Sequence, residues 1–133
     1  MKVVVVDDDK SVRLILQRIL VNKFSCEVIL ADNGKEGIEQ VRAEKPGLVI
    51  LDVRMPGLGG EEVLAELRSQ PEFASLPVVI ASSANDKETV VSLLRKGVVD
   101  YLVKPLDFAE THRRLSGVFA RIQPVGDVQE TAP

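Results

Sequence analysis

VVVVDDDK, residues 3 to 10, sets four valines directly against three carboxylates, and the reading of that junction decides the fold. Four consecutive β-branched residues show no alternation of apolar and polar positions, so a strand made from them is covered on both faces, as in parallel sheets. The acids that follow are costly there. At 4 Å two unit charges repel by about 1 kcal/mol in water and about 4 kcal/mol at an effective dielectric of 20. Three acids beside a buried strand therefore require a positive partner.

Outward from this junction, a short apolar run followed by a segment of helical period recurs along the chain. Strands are predicted at KVVVV (2 to 6), CEVILA (26 to 31), GLVIL (47 to 51), PVVIA (77 to 81) and DYLV (100 to 103). Between the first two, SVRLILQRIL puts Val12, Ile15, Leu16, Ile19 and Leu20 on one side of a helix, with Asp9 positioned to cap its start. KEGIEQVRAE forms a second helix, stopped by Lys45-Pro46-Gly47, and EEVLAELRSQ a third, after the loop VRMPGLGG. KETVVSLLRK is a fourth, ended by Gly97, the residue best suited to a left-handed cap, and a fifth runs from about Phe108 to Ile122. Five βα units make a three-layer α/β domain with a parallel five-stranded sheet. One domain is expected over residues 1 to 122. Residues 123 to 133, QPVGDVQETAP, carry too few large apolar residues to pack and read as a disordered tail or the start of a linker.

Composition narrows the function. The 133 residues suffice for one domain with a real core. Seventeen Lys and Arg against twenty Asp and Glu give a net charge of -3, with no long basic run, which argues against direct nucleic-acid binding. The single cysteine, Cys26, lies in an apolar run and reads as a small buried hydrophobe in a reducing compartment. No stretch has the length of a membrane span and no signal-peptide pattern opens the chain, so a bacterial cytoplasmic protein is expected.

In open α/β sheets ligands bind beyond the carboxyl ends of the strands, where the strand order reverses. Here the first strand ends in Asp7, Asp8 and Asp9, the third in Asp52, the fourth in Ser82 and Ser83, and the fifth in Lys104, before Pro105. If the first and third strands are neighbours, Asp7, Asp8 and Asp52 converge, and a hard divalent cation, Mg²⁺, would relieve their repulsion. Lys104 adds a second positive charge. Mg²⁺ and a lysine facing one carboxylate can hold a transferring phosphoryl group, a reaction that needs mainly alignment and charge neutralisation. Asp52, alone at the end of its strand, is the candidate nucleophile, and Ser82 could set a hydroxyl against the new phosphoryl oxygens.

VVVVDDD, VILDVRMPG, PVVIASSAND and GVVDYLVKP, in this order and spacing, resemble the receiver domains of two-component response regulators, of the chemotaxis-regulator type. The resemblance covers residues 2 to about 122. It implies a flavodoxin-like, doubly wound (βα)5 fold with sheet order 2-1-3-4-5. It implies that Asp52 is the phosphoacceptor, supplied by a sensor histidine kinase or a histidine phosphotransfer protein. Asp8 and Asp52 would bind Mg²⁺ directly and Asp7 through water, and the backbone carbonyl of Arg54 would be a further ligand. Ser82 stands at the family's Thr or Ser switch, Tyr101 at its reorienting aromatic and Lys104 at its phosphate-pairing lysine, with a cis bond to Pro105. In that pattern phosphorylation reshapes the surface of the fourth helix, fifth strand and fifth helix, which would control a partner or output domain and allow a dimer. The first helix and the loop after the fifth strand would receive the phosphodonor. The chain would then be a switch that catalyses its own phosphorylation and slow dephosphorylation, not an enzyme with an external substrate. Gly47 and Gly59 stand where the family usually has Asp, and Arg54 and Ser83 flank the mouth of the site.

Simpler roles compete at several positions. Asp9 reads better as a helix cap than as a ligand. Tyr101 serves equally as ordinary strand packing. His112 reads as a solvated surface residue without a catalytic part, and Arg113 with Arg114 as an exposed face. Three other functions compete with the whole. A receiver-like interaction module without phosphoryl chemistry would not need both Asp52 and Lys104. An aspartyl phosphohydrolase would commonly need a second acid beside Asp52 and a cap over the substrate, where Val53 and Arg54 stand with no insertion. A dinucleotide binder would need a glycine-rich turn where DDD stands.

Overall fold

Each apolar run becomes a parallel strand and each periodic segment a helix. In the computed structural model, which describes residues 1–122, the strands are β1 (Lys2–Val6), β2 (Glu27–Ala31), β3 (Leu48–Asp52), β4 (Val78–Ser83) and β5 (Asp100–Lys104). The helices are α1 (Lys10–Phe24), α2 (Gly34–Glu44), α3 (Gly60–Arg68), α4 (Lys87–Arg95) and α5 (Phe108–Ile122). The sheet order is β2-β1-β3-β4-β5, with every neighbouring pair parallel, so the expected doubly wound, flavodoxin-like topology is present. The expected tail, residues 123 to 133, lies outside the described residues.

The valine run explains the layering. Val3, Val4, Val5 and Val6 are all 0% exposed, yet they serve two cores because successive side chains leave a strand on opposite faces. Val3 and Val5 join Leu16, Ile19 and Leu20 of α1 and Leu115, Val118 and Phe119 of α5. Val4 and Val6 join Ile38 and Val41 of α2, Val63 and Leu67 of α3, and Val90 and Leu93 of α4. At roughly 1.5 to 3 kcal/mol for each fully buried aliphatic side chain, the run stabilises both halves of the fold. The edge strands β2 and β5 are only partly covered, although EVILA of β2 is as apolar as the central strands.

Local chemistry sets the ends of the elements. The Asp9 carboxylate accepts a hydrogen bond from the Ser11 amide at 2.9 Å and caps α1 as expected, while Asn33 caps α2 in the same way. Gly97 follows α4 with φ 97°, a conformation open to glycine at no steric cost. Two expectations shift. Ile15 is 37% exposed, because at about 100° per residue it falls on the margin of the stripe centred on Leu16 and Ile19. Cys26 precedes β2, and its amide bonds back to the Leu20 carbonyl at the end of α1. It is buried, as expected.

The segment after β3 is drawn tightly against the strand. The Gly60 amide donates to the Val53 carbonyl at 2.9 Å, and a Cβ at Gly60 would collide with the Asp52 carbonyl oxygen and lie 2.9 Å from Val53 Cα. This contact holds the start of α3 under the strand end that carries Asp52. Beyond α3, Arg68 donates to the Phe73 and Leu76 carbonyls at 3.0 and 2.8 Å, pinning the turn that leads into β4.

Candidate functional site

Four strands deliver the polar groups to one end of the sheet. Asp52, Ser82 and Lys104 occupy the last rungs of their strands, where Asp52 pairs with Ala81, Ser82 with Val103 and Ser83 with Lys104. Asp7 and Asp8 lie just past β1, between the two strands at which the chain reverses its direction of growth across the sheet. Asp7, Asp8 and Asp52 each bring a carboxylate oxygen within 4.8 Å of the others, as the sequence implied.

The three acids are not equivalent. Asp7 is buried: Oδ1 accepts from the Asp9 amide at 2.9 Å, and Oδ2 lies in an ion-pair contact 2.9 Å from Lys104 Nζ without a hydrogen bond among the described residues. Asp52 is 3% exposed; its Oδ1 lies 3.1 Å from Lys104 Nζ and 3.3 Å from the Arg54 amide. Its Oδ2 is buried without a hydrogen-bond partner among the described residues. Asp8 is exposed. The Lys104–Pro105 peptide is cis, in line with the resemblance.

Electrostatics follow from this arrangement. Burial and the nearby Asp7 charge push the Asp52 carboxyl up to about 7, although Lys104 acts in the opposite direction. Burial would lower the Lys104 pKa, but its contacts with Asp7 and Asp52 outweigh that and raise it. One lysine thus answers only part of the repulsion among three acids. A carboxylate oxygen without a partner, a second acid open to solvent and a third held nearby form an all-oxygen donor set that suits a hard divalent cation.

Ser82 is 2% exposed, and its hydroxyl is likewise without a partner among the described residues. A groove of about 810 Å³ between α4 and β5 is lined by Ser82, Lys87, Val90, Val91, Tyr101 and Val103. Tyr101 therefore borders the same space as Ser82. Its ring lies 4.6 Å from the Arg114 guanidinium, which also pairs with Asp100 at 2.8 Å and Glu110 at 3.1 Å.

Several surface assignments change. Arg113 is exposed as expected, but Arg114 is half-buried against Tyr101 and Asp100. His112 is also half-buried, its ring 5.4 Å from Phe24 and 6.2 Å from Phe108, because α5 turns that position toward the end of α1. Asp86 is a residue of the site's rim to which no motif in the sequence assigns a role. Its carboxylate is buried, and it binds the Arg54 Nε and accepts from the Ser83 hydroxyl at 3.1 Å. The available signal was an acid directly before the helical run of α4, which suggests a cap, but the side chain makes no capping bond.

Residues 3–116 match the family described as response regulator receiver domain. The chain belongs to that family. It is thus a receiver domain of two-component signalling, with bacterial relatives. The response regulator MprA of Mycobacterium avium (strain 104) is 35% identical over 133 residues, covering 99% of this chain and 57% of that protein. The transcriptional regulatory protein ZraR of Klebsiella oxytoca is 39% identical over 118 residues, covering 89% of this chain and 26% of that protein. The chain thus spans little more than half of MprA and about a quarter of ZraR. Among solved structures, the receiver domain of NtrX from Brucella abortus superposes with a TM-score of 0.78 at 31% identity, covering 90% of this chain and 96% of that one. No helix of the described residues is long and apolar enough to cross a membrane.

Proposed function

We propose that this receiver domain accepts a phosphoryl group on Asp52 from a phosphohistidine of a sensor kinase or phosphotransfer protein. The observation that carries the reading is the Asp52 carboxylate itself, buried at the end of β3 with Lys104 on one oxygen and no partner on the other. That free oxygen attacks phosphorus, the phosphorus–nitrogen bond of the donor breaks, and the imidazole leaves with the electron pair and takes up a proton. An acyl phosphate results. Asp8, Asp52 and the Arg54 carbonyl would hold Mg²⁺ directly, and Asp7, whose Oδ2 faces Lys104, through water, as the family resemblance implies. When bound, the ion supplies charge neutralisation at the transferring oxygens. Lys104, already against Asp52, pairs with the phosphoryl group formed there.

Phosphorylation adds roughly 1.5 to 2 negative charges at this strand end. Ser82, with a buried and unpartnered hydroxyl, is drawn toward the new oxygens together with Lys104. Tyr101 turns into the vacated part of the groove, and the α4, β5 and α5 surface changes shape. Phosphorylation need only favour that form, by binding it more strongly than the resting one. The reshaped surface would control a downstream effector or an output domain, and it could mediate dimerisation. The donor docks on α1 and the β5–α5 loop. Residues 1 to 122 constitute the switch, which acts in the cytoplasm and turns over no external substrate beyond its own phosphorylation and slow dephosphorylation.

Intact mass after treatment with acetyl phosphate and Mg²⁺ tests the assignment. Wild type is expected to gain one phosphoryl group and Asp52→Asn none. Equal labelling of the two would remove Asp52 as acceptor, and no labelling of wild type would favour an interaction module without phosphoryl chemistry.

A further inference from the structure

Asp86 is a buried carboxylate that the phosphoacceptor chemistry leaves unused. It closes the turn between β4 and α4, its side chain is 2% exposed, and Arg54 is its one ion-pair partner among the described residues. The two oxygens face different loops. Oδ1 binds the Arg54 guanidinium, which belongs to the segment after Asp52, and Oδ2 accepts from Ser83, the neighbour of Ser82. Arg54 is itself 74% exposed, so its charged end reaches out of the solvent-facing loop to a carboxylate that water barely touches. One acid thereby ties the acceptor loop to the segment carrying the unpartnered Ser82 hydroxyl.

We propose that the Arg54–Asp86–Ser83 bridge is a latch on the resting conformation, and that a phosphoryl group on Asp52 releases it by drawing away the Arg54 guanidinium. The inference rests on Asp52 as acceptor. A phosphoryl group is a stronger and more charged partner than a carboxylate that offers Arg54 one oxygen, and a guanidinium can take two phosphoryl oxygens at once. Arg54 lies only two residues beyond Asp52, with its amide 3.3 Å from the Asp52 carboxylate. Once Arg54 departs, Asp86 keeps only the Ser83 bond, water takes the place of the exposed guanidinium at Oδ1, and the tie between the two loops opens. That opening frees Ser83, and with it Ser82, to move toward the phosphoryl oxygens. Asp86 is thus a positioning residue: it acts through Arg54 and Ser82.

Calorimetric titration with beryllofluoride in the presence of Mg²⁺ tests this, because beryllofluoride on a carboxylate stands in for the phosphoryl group. Asp86→Asn keeps the shape of the side chain and removes its charge, so the resting latch weakens and affinity should rise by roughly fivefold to tenfold. In an Arg54→Ala background the same Asp86→Asn change should produce no gain, since Asp86 acts by holding Arg54. Thermal unfolding verifies that each variant is folded, and a variant that fails to fold is replaced by Arg54→Gln or Asp86→Ser in the same cycle. An unchanged or weaker affinity in Asp86→Asn, or an equal gain in both backgrounds, overturns the latch while leaving Asp52 as acceptor. If wild type binds no beryllofluoride, the acceptor reading fails and the latch with it.

Discussion

Among single residues, the contest at Asp52 is between one lysine and the combined effect of burial and a neighbouring acid. Lys104 loses it, since the carboxyl is pushed up to about 7. The site is thus short of positive charge, and the exposed Asp8 is the acid best placed to recruit more. Asp8→Asn should therefore unfold no earlier than wild type in the absence of divalent ions, because a repulsion of about 1 kcal/mol is relieved. Added Mg²⁺ should raise the unfolding temperature of wild type and leave that of Asp8→Asn nearly unchanged. Equal rises in the two proteins, measured by thermal unfolding against a chelator control, would take Asp8 out of the ligand set. Asp7, Asp8, Asp52 and Lys104 were readable beforehand because each stands where an apolar run stops, a position that sequence marks directly. Asp86 was not, because its partner Arg54 is 32 residues away and no periodicity joins the two. Arg114 escaped for a similar reason: its partner Asp100 lies 14 residues back, on a strand rather than on its own helix.

For the secondary-structure elements, helical period located the five α-helices of the described residues, with end signals at three of them, and apolar runs located their five strands. What they misjudged was coverage. β1 has neighbours on both sides and β5 on one, and the Asp100 and Tyr101 that open DYLV are the only trace of this in the sequence; strand order makes the distinction. Ile15 fits the same pattern, as an apolar residue at the margin of its stripe that the core does not reach. Gly60 shows an element-level constraint that composition hides. It reads as one of several loop glycines, but the strand backbone lies where its side chain would be. Gly60→Ala should cost about 1 to 3 kcal/mol in urea unfolding, the usual range for forcing atoms into filled space. A loss within error would mean that the start of α3 shifts freely away from Asp52.

Over the whole molecule, the strand order places an acid pair between two strands that leave in opposite directions, which is where open α/β sheets bind their ligands. Both cores close within the described residues, one under α1 and α5 and the other under α2, α3 and α4. A chain ending at residue 122 should accordingly unfold within about 2 °C of the longer one and accept phosphoryl to the same extent, as measured by thermal unfolding and intact mass. A large drop in either would make residues 123 to 133 part of the folded unit. The order in which the site's parts are synthesised has a consequence of its own. The acid pair follows the first strand, while the ammonium that answers it closes the last. A nascent chain on the ribosome would carry its acids long before that counter-charge emerged, so the lysine–carboxylate pairing around Asp52 would be incomplete until translation had passed β5.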